Sequence, residues 1–270
     1  MNILFIGGGN MAAAIIGGLT ARGWPPASLQ VVDVMPETLA DLKRRFSIRT
    51  STDATTAATT ADCIVFAVKP QHLRAAAQAL APAIRKQLVI SIAAGIRCRD
   101  LARWLGCAVP IVRAMPNTPA LVAAGITGLY AMPDVTPQQR EQTARILDAV
   151  GTTFWVDTES DLDAVTAVSG SGPAYVFYFI EALEQAALEL GLSPEIARQS
   201  ALATFAGAIK LATTADTGPA ALRARVTSKG GTTERAISVL DDAAIKAAFS
   251  RAVRAAAERA AEMGDTLGKD

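Results

Sequence analysis

Gly7, Gly9 and Ala12 stand at the G-x-G-x-x-G/A spacing that grips a dinucleotide pyrophosphate. The first glycine permits a tight turn, the second lets backbone approach the phosphates, and the small third residue lets a helix pack closely on a strand. This is anion binding without a side-chain charge: unpaired N–H groups at a helix start point at the phosphates, and the helix dipole favours negative charge. Glycines alone also serve any loop that needs a positive φ. Here the apolar run Ile3-Leu4-Phe5-Ile6 precedes the turn, and Asn10, Met11 and an alanine-rich segment open a helix after it. A second apolar run, Leu29-Gln30-Val31-Val32, ends in Asp33, near the acidic position of the fingerprint. Ile6, Gly7, Gly8, Gly9, Asn10 and Met11 are therefore expected to hold a nucleotide cofactor.

Other residues able to do chemistry also follow strands. Lys69 comes directly after the apolar run of residues 63–68 and can face cofactor phosphates or a substrate carboxylate, act as an acid/base, or stand in solvent. His72, the single histidine, is either a proton carrier for an alcohol substrate or a solvated residue at a helix start. An imine substrate needs less, because an iminium nitrogen already protonated in solution takes only a hydride. Asn117 lies between prolines in Met115-Pro116-Asn117-Thr118-Pro119; its amide could orient a nicotinamide carboxamide or a substrate, and a plain turn accounts for it equally.

In Ser228-Lys229-Gly230-Gly231-Thr232-Thr233, glycines beside hydroxyl residues at a helix start give N–H and O–H donors suited to a small carboxylate, or a helix cap with a flexible lead-in. Ser169-Gly170-Ser171-Gly172-Pro173 reads as a similar loop where two domains meet. It has no histidine partner and is not a hydrolase elbow.

The elements that must position these groups alternate strand and helix up to about residue 158, which calls for a parallel sheet covered by helices on both faces. Ligands of such sheets bind outside the carboxyl ends of the strands. Beyond Asp157 strand signals vanish, and helices are expected over 173–190, 193–213, 218–226, 232–240 and 242–263. Two domains follow, residues 1–158 and 159–270. Tyr175-Val176-Phe177-Tyr178-Phe179-Ile180 is apolar around the whole helix circumference, and a partner subunit is the economical way to cover it.

Composition excludes several classes. With 26 basic against 25 acidic side chains and a net charge of +1, nothing marks a nucleic-acid surface. Cys63, Cys98 and Cys107 are odd in number and lack C-x-x-C spacing, which argues against a disulfide framework or a zinc site and suits a reducing cytoplasm. No metal is expected. The N-terminal stretch has no basic leader and its glycines interrupt the apolar run, so neither a signal peptide nor a membrane span is expected.

Taken together, Ile6-Gly7-Gly8-Gly9-Asn10-Met11, Ala67-Val68-Lys69-Pro70-Gln71, Ser91-Ile92-Ala93-Ala94-Gly95-Ile96, Arg113-Ala114-Met115-Pro116-Asn117-Thr118-Pro119, Ser169-Gly170-Ser171-Gly172-Pro173-Ala174-Tyr175 and Thr227-Ser228-Lys229-Gly230-Gly231-Thr232-Thr233 closely resemble the pyrroline-5-carboxylate reductase family. The last three motifs are far more specific than the glycine fingerprint. The resemblance implies reduction of 1-pyrroline-5-carboxylate to L-proline, the last step of proline biosynthesis, with NADPH, or NADH, as hydride donor. It implies an N-terminal Rossmann-type doubly wound, mostly parallel sheet followed by an all-α dimerisation domain, in a homodimer or an oligomer of dimers. It also implies cofactor contacts from residues 7–11 and from Ala67, Val68, Lys69 and Pro70. The substrate carboxylate would be held by Ser228, Gly230, Gly231, Thr232 and Thr233, beside a cofactor bound by the partner subunit, and Thr233 would hydrogen-bond the ring nitrogen.

The chain departs from the family pattern at Lys229, where proline is usual, and at Ala54, where asparagine is common. Asp33 would bond a free ribose 2'-OH and repel a 2'-phosphate, and Val34, Met35 and Pro36 bring no cation, so NADH stays open beside NADPH. Two other readings remain: a two-domain hydroxyacid dehydrogenase using Lys69 or His72 as acid/base, and a dinucleotide-sensing protein without turnover.

Overall fold

Four consecutive buried residues make β1 (Ile3–Ile6), an apolar run that suits a strand covered on both faces. A computed structural model describes residues 1–269. After β1 come α1 (Asn10–Ala21), β2 (Leu29–Val32), α2 (Pro36–Phe46), β3 (Arg49–Ser51), α3 (Ala54–Ala58), β4 (Cys63–Phe66), α4 (Pro70–Leu80), β5 (Leu88–Ser91), α5 (Cys98–Leu105) and β6 (Ile111–Met115). β7 (Gly125–Ala131), α6 (Pro137–Leu147) and β8 (Gly151–Trp155) complete an eight-stranded sheet in the order β3-β2-β1-β4-β5-β6-β7-β8.

Strands β1 to β6 are mutually parallel. β7 runs antiparallel to β6, and β8 parallel to β7. The reversal follows from the connection: only a short 3-10 turn, Thr118–Val122, joins β6 to β7, too little chain for a crossover helix. Alternate residues of β1 feed opposite cores. Ile3 and Phe5 pack with Ile15, Ile16 and Leu19 of α1, while Leu4 and Ile6 pack with Leu73 and Leu80 of α4. The mostly parallel, doubly wound sheet expected from the sequence is what the chain forms.

The connectivity fixes where a ligand can bind. The chain steps outward from β1 to β2 and β3 on one side, and from β4 to β5 and β6 on the other, so the order reverses between β1 and β4. Ile6 is in register with both Val32 and Phe66, so Gly7, Asp33 and Ala67 leave the sheet side by side at its carboxyl rim.

All later elements are helical: α7 (Asp161–Val165), α8 (Gly172–Glu189), α9 (Pro194–Thr214), α10 (Pro219–Arg225), α11 (Thr232–Asp242) and α12 (Ile245–Thr266). The stretch read as a loop at residues 169–173 is wound as helix instead. A π turn spans Thr166–Gly170, closed by Ser171 N–H donating to the Thr166 carbonyl at 2.8 Å, and the Ser169 hydroxyl is satisfied inside it by the Val165 carbonyl at 3.0 Å. Serine and glycine signal turns only when their polar groups lack such helical partners.

Two compact units result, residues 1–171 with 255–270, and residues 172–254. Unlike the division at 158/159, this one leaves α7 with the sheet. It also returns the end of α12, where Met263 and Leu267 pack over Gly95, the Arg97 guanidinium lies against Gly264, and Arg103 donates to the Gly268 carbonyl. In the second unit only Ala197 and Ala201 are fully buried, and Phe177 and Tyr178 are 66% and 68% exposed. Tyr175 and Phe179 of α8 contact the Phe249 ring, at centroid distances of 5.6 and 5.8 Å.

Candidate active site

In the first unit, the turn after β1 is held from both neighbouring strands. Gly7 N–H donates to the Val32 carbonyl at 2.8 Å, and the Ile6 carbonyl accepts from Ala67 N–H at 2.8 Å. Gly7 has φ +99°, and a Cβ there would meet the Ala67 carbonyl oxygen at 2.8 Å, so both conformation and space require glycine. Around Gly9 a Cβ would meet nothing within 4 Å. Gly9 is the N-cap of α1 and makes no side-chain cap, so the first-turn N–H groups, including those of Asn10 and Met11, have no capping side chain. Open space, free amides and a helix dipole fit a pyrophosphate. Ala12, fully buried, keeps α1 close to the sheet.

Asp33 is tied to this turn. One carboxylate oxygen accepts from Gly8 N–H at 2.7 Å and the other from Met35 N–H at 2.9 Å. Sequence reasoning placed Asp33 at the ribose and missed its grip on the glycine turn. Ala67, Val68, Lys69 and Pro70 lie on the same rim, with Lys69 exposed as the N-cap of α4 and Pro70 at its first position. His72 is exposed as well.

The Asn117 amide is bonded on both sides to backbone. Its Nδ2 donates to the Ser169 carbonyl at 3.1 Å, its Oδ1 accepts from Ile126 N–H at 2.9 Å, and it is 8% exposed. The amide fastens the segment after β6, the start of β7 and the π turn together. A further group went unseen in the sequence. Arg97 makes a forked pair with Asp163 at 2.6 and 3.1 Å, Arg113 reaches Glu159 at 3.3 Å and Asp163 at 3.6 Å, and Glu159 accepts from Cys98 N–H at 2.7 Å. An arginine inside the apolar strand β6 was the available signal, since a buried cation needs paired carboxylates.

In the second unit, Ser228-Lys229-Gly230-Gly231 turns into α11. Gly231 N–H donates to the Ser228 carbonyl at 3.1 Å, and Gly230 N–H donates to the Glu234 carboxylate at 2.7 Å. Ser228 Oγ lies 2.5 Å from where a Gly231 Cβ would stand. Glu234, three residues past the N-cap Gly231, is the loop's fastener, and glutamate at that spacing was its sequence signal. The hydroxyls of Ser228, Thr232 and Thr233 make no hydrogen bond among the described residues, and Thr233 is half-buried. Unbonded hydroxyls and first-turn amides together form a donor set for a small carboxylate.

Among the described residues no cluster of histidine, cysteine, aspartate or glutamate could hold a metal, and no helix is long and apolar enough to cross a membrane.

Residues 159–263 match the family model described as pyrroline-5-carboxylate reductase dimerisation, and residues 2–95 match that of coenzyme F420-dependent NADP oxidoreductases. The pyrroline-5-carboxylate reductase of Pseudomonas aeruginosa is 47% identical over 99% of this chain and 98% of its own. The solved structure of the Coxiella burnetii pyrroline-5-carboxylate reductase superposes with a TM-score of 0.92 at 42% identity, covering 97% of this chain and 98% of that one. That of Plasmodium falciparum pyrroline carboxylate reductase, with NADP bound, gives 0.87 at 29% identity, covering 98% of each chain.

Proposed function

The chain belongs to the pyrroline-5-carboxylate reductase family, and from that premise we propose that it reduces the C=N bond of 1-pyrroline-5-carboxylate to give L-proline, the last step of proline biosynthesis. The observation that carries this reading is the start of α11, where free hydroxyls and first-turn amides gather on a chain whose histidine is exposed. Such a site binds a carboxylate and has little with which to deprotonate an alcohol.

A bound reduced nicotinamide supplies the hydride for the imine carbon. Gly7 to Met11 hold the pyrophosphate through backbone amides, and Ala67, Val68, Lys69 and Pro70 border it, with the Lys69 ammonium available to phosphate or carboxylate. Asn117 positions the neighbouring backbone. Ser228, Thr232 and Thr233 hold the substrate carboxylate through hydroxyls and first-turn amides, on a turn shaped by Gly230 and Gly231, where the α11 dipole favours negative charge. Thr233 Oγ hydrogen-bonds the ring nitrogen, keeping its proton in place as the nitrogen becomes an amine.

NADPH is the donor that the family resemblance implies. The pyrophosphate loop serves NADPH and NADH alike, so selection between them falls to the ribose end. The exposed aromatic face of α8 and the match to a dimerisation family support a homodimer, in which the α11 loop of one subunit meets the coenzyme of the other. The free cysteines suit the cytoplasm.

Purified protein mixed with 1-pyrroline-5-carboxylate and either dinucleotide is expected to consume reduced nicotinamide and release proline. Consumption with a 2-ketoacid but not with the imine would overturn the reading in favour of a hydroxyacid dehydrogenase.

A further inference from the structure

Asp33 both grips the glycine turn and stands at the position where this fold meets the adenosine ribose. Gly8 N–H and Met35 N–H each take one lone pair of its carboxylate, one per oxygen, at 2.7 and 2.9 Å. The carboxylate is thereby fixed in orientation, with one lone pair left on each oxygen. Two adjacent acceptors match the two adjacent hydroxyls of an unsubstituted ribose.

The same geometry is hostile to a 2'-phosphate. Asp33 cannot swing away without releasing the turn. The segment Val34-Met35-Pro36-Glu37-Thr38 supplies no cation and adds the Glu37 carboxylate in the first turn of α2. On the far side, β3 leads into Asp53, whose carboxylate caps α3 through Thr56. Lys69, the cation on this rim, follows β4, two strands from β2. A phosphate at the ribose would face the Asp33 carboxylate with no cation from residues 34–38 to offset it.

We propose that this chain selects NADH over NADPH, with Asp33 the residue that decides. The inference rests on the nicotinamide-dependent reading above and goes beyond it by naming the form of the coenzyme. Asp33 selects by charge and by holding the turn, so the same residue sets both affinity and preference.

The test is equilibrium binding of NADH and of NADPH to the full chain without substrate, followed by tryptophan fluorescence, beside initial rates with each. NADH is expected to bind at least about tenfold more tightly, with the gap narrowing as salt rises, because the discrimination is a charge repulsion near the surface. Val34→Arg, at a side chain 88% exposed, is expected to strengthen NADPH binding about tenfold while leaving NADH unchanged. Asp33→Asn is expected to shrink the gap. NADPH binding as tightly as NADH in the unaltered chain, or an Asp33→Asn variant with an undiminished gap, would overturn the inference. NADH selectivity in a protein that fails to reduce the imine would uphold it and remove the substrate assignment instead.

Discussion

The side chain of Asn117 and the carbonyl of Ser169, 52 residues apart in sequence, are joined by a 3.1 Å hydrogen bond, and the same amide accepts from Ile126 N–H. Replacing Asn117 by Ala removes this partner from the half-buried Ser169 and from Ile126 N–H. A loss of about 1 kcal/mol in unfolding free energy is expected, read from the urea midpoint. Dinucleotide affinity should fall far less than a directly bonding amide would require. A variant of full stability that no longer binds the coenzyme would return Asn117 to direct contact.

Gly7→Ala sets a methyl group 2.8 Å from the Ala67 carbonyl oxygen at a φ of +99°. The turn must shift to relieve the clash. Dinucleotide affinity is expected to drop at least about tenfold, because the amides aimed at the pyrophosphate move with it. Calorimetric titration of the folded variant measures the drop.

Thr233 and His72 separate the two reductase chemistries. Thr233→Val removes the hydroxyl proposed to meet the ring nitrogen, and kcat should fall about 10- to 100-fold. Thr233→Ser should recover most of the activity. His72→Asn, at an exposed position, should leave turnover within about twofold of the parent. Steady-state rates with the imine decide all three.

Burial pushes the Cys63 and Cys98 thiols well above their ordinary range, and Cys107 is only half-buried. The thiolate is the species that reacts. In the native protein at mildly alkaline pH, a thiol reagent should modify Cys107 alone, whereas denaturant should release all three cysteines; mass spectrometry of the labelled chain shows which.

Hydrogen bonds from Thr56 hold the Asp53 carboxyl below its usual value of 3.8. A lowered folded value means that the unfolded chain binds this proton more readily. The stabilisation is therefore complete above the ordinary value and is lost as pH falls through the lower folded one. Between about pH 6 and about pH 3 the urea midpoint should fall less in Asp53→Asn than in the parent chain.

How much of this was legible in the residues depended on the range of the forces involved. Buried parallel strands are apolar runs and glycine turns are local, so β1, β2, β4 and β5 and the rim residues Gly7, Asp33 and Lys69 could be placed from neighbours alone. The start of α11 was visible for the same reason. The antiparallel β7 depended on the length of one connection. The partners of Asn117, the pairing of Arg97 with Asp163 and the bond from Gly8 to Asp33 join residues 9 to 66 positions apart, which no local periodicity records. Ser169 and Gly170 misled because their turn-like chemistry was absorbed inside a helix.

The final turns of α12 lie over Gly95 and beside Arg97, in the unit that begins at Met1. During synthesis the sheet therefore leaves the ribosome with that patch bare, and the covering piece arrives only after residue 255 has been added. Nascent chains stalled after residue 254 should be cut by protease near residues 95–100, and chains extended through residue 268 should resist.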